Sequence, residues 1–315
     1  MARKCVYLFP GQGSQYVGMG QDLARDYPVA RDVFAQADHT LGILLSRLCF
    51  EGPAEVLNET ANTQPAILTT SVAALRVLRN HGWPAPAYVA GHSMGEFSAL
   101  VASGALSFEA GLELVRERGR LMKRAGERSP GGMAAVLGLE REALEDVCAI
   151  VRERTGAYVG VANDNCPGQV VISGAETALE QAMEAAQDGG AKRAIRLAVS
   201  IAAHSPLMAD VAEAFRRRLD DTPLREPEIP IVANAVARPL KDPHEIREVL
   251  GKQLTSPVRW TESMAWLLAQ DVDCFVEVGP KEVLTNLLRR IDRSAERMTT
   301  TEALASQLRG AAPIT

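Results

Sequence analysis

The segment from Tyr88 to Glu96, with the sequence YVAGHSMGE, constrains the fold of this 315-residue chain more than any other feature. An apolar run enters a Gly-x-Ser-x-Gly pentapeptide centred on Ser93, and a helix-like run to Ser103 follows. This order predicts a strand, a sharp turn and a helix, with Ser93 at the apex. Gly91 and Gly95 remove the side chains that would collide where the strand and the helix approach each other.

Two interpretations of Ser93 are open on these residues alone. In the first, the turn presents the hydroxyl as a nucleophile, and the helix start offers free backbone N–H groups to a developing oxyanion. In the second, the segment is an ordinary glycine-rich turn and the serine only caps the helix.

Composition narrows the function classes. The chain is 47% hydrophobic and 23% charged, as expected for a globular protein, and its net charge of −5 gives no reason to expect nucleic-acid binding. The five cysteines are scattered, without a Cys-x-x-Cys pair, so neither a disulfide framework nor a metal site is expected and a reducing cytoplasm fits. No stretch approaches the roughly 20 apolar residues of a membrane helix.

Alternating strands and helices around a nucleophile turn predict an α/β fold, with an α/β hydrolase-like parallel-sheet core. Within it, residues 129–199 have the element order β-α-β-β-α-β, which predicts an inserted ferredoxin-like small subdomain. The predicted large subdomain, which carries the serine and a histidine, therefore consists of residues 1–128 and 200–315.

Two further segments give local predictions. Asn62 to Pro65 reads as a loop before a mostly apolar helix from Ala66 to Arg79. The tail beyond Ser294 is polar and alanine-rich, and we expect it to be mobile.

A helix predicted from Phe108 to Glu127 places Arg118 in the middle of its apolar stripe. An arginine that points into a core needs an anion, because an unpaired buried charge costs several kcal/mol. An internal salt bridge or a side chain that snorkels to water would satisfy it. A substrate carboxylate is the functional alternative, since a planar guanidinium suits bidentate capture.

His204 directly precedes Ser205 and Pro206, which read as the N-cap and first residue of a helix. The positive end of the helix dipole disfavours imidazolium and would keep the ring neutral, as a general base must be. The alternative is a loop histidine that is hydrogen-bonded to backbone.

The loop from Pro10 to Gln15 begins with Gly-x-Gly, but Tyr16 stands where a dinucleotide turn needs its third glycine. A loop whose backbone N–H groups approach another ligand is the functional alternative.

Several segments together resemble a known family. They are Phe9 to Gln15, Thr63 to Ala66, Gly91 to Glu96, Arg118-Gly119, Ala203 to Ser205 and Phe275 to Pro280. In this order and spacing they resemble the malonyl-CoA:acyl carrier protein transacylases of fatty acid synthesis, and equally the free-standing, trans-acting acyltransferases that serve polyketide synthases. The resemblance covers roughly residues 5–292.

The resemblance implies that Ser93 is the acylated nucleophile and His204 its base. It also implies an oxyanion hole formed by the backbone N–H groups of Gln12 and Met94. No acidic third member of a catalytic triad is expected in this family.

For the substrate, the resemblance implies that Arg118 holds the free carboxylate of a malonyl group and that Gln64 lines the acyl pocket. Gln253 matches the position near the histidine where a backbone carbonyl orients the ring.

The implied reaction is ping-pong transfer of malonyl from malonyl-CoA, a substrate, to the thiol of an acyl carrier protein. No cofactor or metal is expected, and a cytoplasmic monomer is typical of the family. Carriers of this kind are usually acidic, so basic clusters are candidate docking sites: Arg116 to Arg128, Lys192 to Arg196 and Arg216 to Arg218.

Three alternatives stay open. Ala202 and Ala203 leave room beside His204, so a malonyl group with a small 2-substituent could be the substrate, although malonyl is preferred. A hydrolase that clears acyl thioesters could use the same serine and histidine. A non-catalytic docking protein is the third, and the intact Ser93 and His204 argue against it.

Overall fold

Two β-sheets with helices on their faces make up the structure, a computed structural model that describes residues 3–128 and 130–310. The strands are β1 (Cys5–Phe9), β2 (Tyr88–Gly91), β3 (Gly131–Leu137), β4 (Val159–Cys166), β5 (Gln169–Ala175), β6 (Arg193–Arg196), β7 (Ile231–Ala233), β8 (Arg238–Leu240), β9 (Val258–Arg259), β10 (Cys274–Glu277) and β11 (Arg297–Thr299). The helices are α1 (Gln21–Asp26), α2 (Pro28–Leu41), α3 (Leu45–Glu51), α4 (Ala54–Leu57), α5 (Thr60–Asn80), α6 (Gly95–Ala102), α7 (Phe108–Arg128), α8 (Arg141–Thr155), α9 (Glu176–Asp188), α10 (Ala209–Asp220), α11 (Pro243–Lys252), α12 (Trp260–Leu268), α13 (Val283–Ile291) and α14 (Thr300–Gly310). Across both ranges, no helix combines the length and apolar character needed to span a membrane.

The larger sheet has the strand order β11-β10-β1-β2-β7-β8. Its first five strands are parallel and only the β7–β8 pair is antiparallel. Strand β1 is buried over its whole length, as an apolar strand at the centre of a helix-covered parallel sheet must be. The predicted α/β class with a parallel-sheet core is confirmed.

The second sheet has the order β6-β3-β5-β4-β9 and a hydrophobic cluster of its own beneath α8 and α9. Its chain order β3-α8-β4-β5-α9-β6 is the order read from the sequence. The sequence reading missed β9, a two-residue strand from the C-terminal part of the chain that pairs in parallel with β4.

The C-terminal tail is not the mobile segment that its composition suggested. Strand β11 pairs with β10 and completes an edge of the larger sheet, and α14 follows it. Ala303 on α14 is buried, and its carbonyl accepts a hydrogen bond from the Trp83 indole at 3.1 Å. Residues 311–315 lie outside the described ranges. Pairing with a distant strand is not visible in the local composition of the tail.

The loop predicted from Asn62 to Pro65 is also wrong, because these residues belong to α5. Pro65 removes one helical N–H donor, but Gln64, Pro65 and Ala66 are fully buried, and this tertiary packing outweighs the cost of the proline. Gly119 on α7 permits the contact: a Cβ there would lie 2.6 Å from the Thr60 carbonyl oxygen. The close approach of α5 and α7 brings Gln64 near Arg118.

We expect Ala303→Asp to destabilise the protein by roughly 3 kcal/mol or more, because it places a carboxylate in the apolar contact beneath α14. The exposed neighbour Thr301→Asp is the matched control and should change stability little. Urea denaturation of both variants measures the difference. Equal stability of the two variants would contradict the docked tail.

Candidate active site

The strand-turn-helix around Ser93 has the predicted form. Strand β2 ends at Gly91, α6 begins at Gly95, and Ser93 has a φ of 51°, in the left-handed region. A Cβ at Gly91 would lie 2.0 Å from the Gly95 carbonyl oxygen, and one at Gly95 would lie 2.1 Å from that of Phe9. Only glycine fits at either position, so the backbone packing itself holds Ser93 at the apex.

Asn234 holds this turn from the neighbouring strand, and the sequence reading missed it. Its Oδ1 accepts a hydrogen bond from the Ser93 backbone N–H at 2.7 Å, and its Nδ2 donates to the Gly91 carbonyl at 2.6 Å. Asn234 directly follows β7, which pairs with β2. A polar residue at the carboxyl end of an adjacent parallel strand is the signal that could have identified it.

His204 lies beside Ser93, with its Nε2 2.8 Å from the serine Oγ. Its Nδ1 faces two backbone carbonyl oxygens, those of Gln253 at 2.9 Å and Ser256 at 3.1 Å. Because a carbonyl can only accept, Nδ1 carries the proton and Nε2 is free to accept the serine proton. Burial, together with the nearby charge of Arg118, lowers the pKa of His204 to about 3, so the ring is neutral at physiological pH.

Ser205 and Pro206 start a helical segment as predicted: the Ser205 hydroxyl accepts from the Leu207 N–H, and a short 3₁₀ turn leads into α10.

Arg118 is 1% exposed and points into the site from α7. Its hydrogen bonds go to uncharged groups: Gln64 Oε1 at 3.0 Å, Gln253 Oε1 at 3.0 Å, Met122 Sδ at 3.4 Å and Ser93 Oγ at 3.3 Å. Its Nε–H has no acceptor among the described residues. Burial lowers the pKa of Arg118 to about 10, which still leaves it charged at neutral pH. The internal salt bridge that the sequence left open is not formed within the described residues.

Gln253 links the histidine and the arginine. Its main-chain carbonyl accepts from His204, its side-chain oxygen accepts from Arg118, and its Nε2 donates to the Ser93 carbonyl at 3.0 Å. The same Nε2 donates at 2.5 Å to the buried carboxylate of Glu96. Burial raises the pKa of Glu96 to about 7, while hydrogen bonds from Gln253 and from the Asn234 N–H oppose the shift. The sequence placed Gln253 near the histidine but assigned nothing to Glu96.

The loop after β1 passes directly over the turn. A Cβ at Gly11 would lie 2.4 Å from the His92 carbonyl oxygen, so Gln12 is brought close to Ser93. The backbone N–H groups of Gln12 and Met94 have no acceptor within the described ranges. Met94 precedes the first residue of α6, where free N–H groups and the positive helix end favour a developing anion.

These groups supply the elements of acyl transfer: a hydroxyl, a neutral base, unpaired N–H donors and a cation without an ionic partner in the described part of the chain. In that same part, no group of three or more His, Cys, Asp or Glu side chains is placed to hold a metal ion.

Comparison with known proteins identifies the family of this chain. Residues 6–311 match the sequence profile of the acyl transferase domain family, and the chain belongs to this family. Within it, the chain is 47% identical over 290 residues to the malonyl CoA-acyl carrier protein transacylase of Bacillus subtilis (strain 168), covering 92% of this chain and 91% of that one. It is 43% identical over 286 residues to the enzyme of the same name from Escherichia coli (strain K12), with coverage of 91% and 92%.

Solved structures share the whole fold. The malonyl CoA-acyl carrier protein transacylase from Coxiella burnetii superimposes with a TM-score of 0.95 at 37% identity, covering 98% of both chains. A malonyl-transacylase solved in complex with a type II PKS acyl-carrier protein gives a TM-score of 0.94 at 40% identity, covering 98% of this chain and 99% of that one. The family resemblance read from the sequence is confirmed.

The lowered pKa of His204 makes a prediction about acid stability. Because the unfolded histidine takes up a proton below pH ~6.5 and the folded one does not, His204 makes stability fall as the pH drops from ~6.5 toward 3. The substitution His204→Asn removes this contribution to the pH dependence, and asparagine tolerates the positive φ of the position. Between pH 7 and 5, we expect the free energy of unfolding of His204→Asn to fall by roughly 2 kcal/mol less than that of the wild type.

Urea denaturation at both pH values measures this difference. His39→Asn, the same substitution at an exposed position, is the control. A His204→Asn variant with the full acid-induced loss would contradict a buried neutral imidazole.

Proposed function

We propose that this protein is an acyltransferase that moves a malonyl group from malonyl-CoA to the phosphopantetheine thiol of an acyl carrier protein, in fatty acid or polyketide synthesis. The observation that carries this proposal is the convergence of Ser93, His204 and Arg118 from three separate segments. The serine Oγ lies 2.8 Å from His204 Nε2 and 3.3 Å from the guanidinium. The identity to malonyl CoA-acyl carrier protein transacylases over nearly the whole chain supports it.

In the first half-reaction, His204 Nε2 takes the Ser93 proton as Oγ bonds to the thioester carbonyl carbon. The backbone N–H groups of Gln12 and Met94 bind the oxyanion. The carbon–sulfur bond then breaks, and the imidazolium returns its proton to the coenzyme A thiolate. In the second half, the carrier thiol gives its proton to His204 and attacks the seryl ester. The ester carbon–oxygen bond then breaks, and the imidazolium returns the proton to Ser93 Oγ.

Arg118 provides the selectivity for a carboxylated acyl group, and Gln64 holds the guanidinium within the acyl pocket. A carboxylate would satisfy the Nε–H that lacks an acceptor and would supply the ionic partner that the described protein groups do not. An uncharged acyl group would leave the buried guanidinium without that partner.

We also propose a division of the chain into a large subdomain, residues 1–128 and 200–315, and a small one, residues 129–199. The hydrophobic core of the small unit supports this division, and four of the five strands of its sheet come from residues 129–199, the fifth being β9. The proposed steps use only groups of this chain, one thioester and one thiol, so we expect no cofactor. The likeness to the family leads us to expect a cytoplasmic monomer as well.

The central test is acylation of Ser93. Incubation with labelled malonyl-CoA should place one malonyl group on Ser93, detected by peptide mass spectrometry, and Ser93→Ala should remain unlabelled. Added carrier protein should then receive the label as a thioester. Release of free malonate in place of carrier thioester would favour the hydrolase alternative, and an unlabelled Ser93 would refute both.

The same assay run with Arg118→Ala tests the carboxylate clamp. Removing one partner of a buried charge pair is costly, so acylation from malonyl-CoA should fall by roughly 10²-fold or more. Acylation from acetyl-CoA should fall much less. An equal loss for both thioesters would show that Arg118 does not read the carboxylate.

The proposed function also requires a surface on which the acyl carrier protein docks. Half of the cations in the basic clusters expected from the sequence are paired with this chain's own carboxylates: Arg120 with Glu117, Lys123 with Glu59, Arg196 with Glu176, Arg216 with Glu248, Arg217 with Glu213 and Arg218 with Glu113. Paired cations attract an acidic partner less strongly. We therefore favour a surface whose cations all lack such a pairing.

Arg289, Arg290, Arg293 and Arg297 line one surface cleft with Pro167 and form no ion pair within the described residues. Arg290 donates to the Pro167 carbonyl at 3.2 Å, and two residues earlier Asn165 bonds to the ring of His92, next to Ser93. This arginine cluster is thus without an ion pair in the described chain, and it contacts the same β4–β5 turn region whose Asn165 bonds to His92, the neighbour of Ser93.

Charge reversal tests this surface. Arg290→Glu/Arg293→Glu should raise the KM for the carrier protein and flatten its salt dependence, with Ser93 acylation from malonyl-CoA little changed. Arg217→Glu, an exposed arginine of a paired cluster, is the matched control. Unaltered carrier kinetics in the double variant would remove this cluster from the docking surface.

A further inference from the structure

Glu96 is a buried carboxylate that the reaction steps above do not use. It is 2% exposed and lies in the first turn of α6, where the positive helix end stabilises its charge. Its Oε2 accepts from Gln253 Nε2 at 2.5 Å, and its Oε1 accepts from the Asn234 backbone N–H at 3.3 Å. Both partners also bind Ser93, so Glu96 touches the two groups that hold the nucleophile.

The hydrogen bonds of Glu96 determine how the Gln253 amide is oriented. Both amide hydrogens face acceptors, the Glu96 carboxylate and the Ser93 carbonyl, and the amide oxygen faces the Arg118 donor. The flipped amide would place oxygen against two acceptors and nitrogen against a donor. Above its pKa of about 7, a negative Glu96 therefore fixes the amide oxygen toward Arg118.

The same arrangement separates two buried opposite charges by one amide. Arg118 has only uncharged hydrogen-bond partners among the described residues, and Glu96 is the charge that favours its ionised form. Direct contact would have occupied up to two of the five guanidinium N–H donors, so Glu96 would have competed with an acyl carboxylate for them. With Gln253 between them, Glu96 offsets the charge at a distance and an Arg118 N–H stays unpaired.

We propose that Glu96 is a positioning residue that acts through Gln253: it provides the counter-charge of Arg118 in the free enzyme and keeps the guanidinium oriented and available for the acyl carboxylate. This inference rests on the proposed malonyl transfer and adds a specificity role for a residue outside the reacting groups.

Glu96→Gln keeps the side-chain length and one acceptor oxygen but removes the charge. At a pH above the pKa of Glu96, the free variant should melt at a lower temperature than wild type. Loading Ser93 with malonyl should raise its melting temperature more than it does in wild type, because the malonyl carboxylate then supplies the missing counter-charge. Loading with acetyl should give no such excess. Misplacement of the Gln253 amide should also lower kcat/KM for malonyl-CoA, by up to about 10²-fold.

Two further variants separate charge from packing. Glu96→Asp retains the charge and should keep the wild-type difference between malonyl and acetyl loading. Ser98 lies on the same helix, and its buried hydroxyl has no hydrogen-bond partner in the described chain. Ser98→Ala should therefore behave like wild type in every one of these measurements.

A double variant keeps the test decisive if Glu96→Gln does not fold. Arg118→Met/Glu96→Gln removes both charges and should be more stable than Glu96→Gln alone. A double variant no more stable than the single one, or equal malonyl-dependent shifts in wild type and Glu96→Gln, would overturn the inference. Wild-type labelling of Ser93 tests the proposed function separately.

Discussion

The close approach of three backbone segments at Ser93 is the constraint on which the rest of the site depends. Gly91 and Gly95 let the end of β2 and the start of α6 touch, and Gly11 lets the loop after β1 cross them, with hypothetical Cβ contacts of 2.0 to 2.4 Å. The parallel pairing of β1 with β2 brings these segments together at the carboxyl ends of two neighbouring central strands. A serine with a left-handed backbone conformation would be strained in isolation. This packing and the hydrogen bond to the Asn234 amide hold Ser93 in that conformation.

Charge is distributed around this turn so that each group keeps the protonation state the proposed chemistry needs. His204 is buried beside a cation and faces only carbonyl oxygens through Nδ1, so it stays neutral. Arg118 keeps its charge because amide oxygens accept its hydrogen bonds, and because the negative charge of Glu96, on the other side of Gln253, favours the ionised guanidinium. A carboxylate in direct contact with either group would have stabilised imidazolium or occupied the guanidinium. Gln253 serves both groups, through its backbone and its side chain.

The sequence predicted what depends on local pattern. The glycine spacing located the turn at Ser93, and the apolar stripe of α7 showed that Arg118 points inward. What it missed depends on distant partners: Asn234 is 141 residues from Ser93, and Glu96 meets Gln253 across 157 residues. Glu96 opens a helix, where an acidic residue is ordinary and carries no signal of its own. The helix through Pro65 and the paired strand β11 were missed for the same reason, since tertiary contacts decide both.

The absence of an acidic partner for His204 among the described residues suits transfer between thiols. A thiol has a pKa near 8.5, so a thiolate leaves a tetrahedral intermediate without the strong proton donation that an amine requires. The base needs only to take the serine proton and return it, and an imidazolium beside Arg118 loses its proton readily because like charges repel. The two half-reactions are nearly symmetric, with a thiol leaving in one and entering in the other. A neutral histidine held by two carbonyls therefore serves both directions equally, and the guanidinium decides which acyl group is carried.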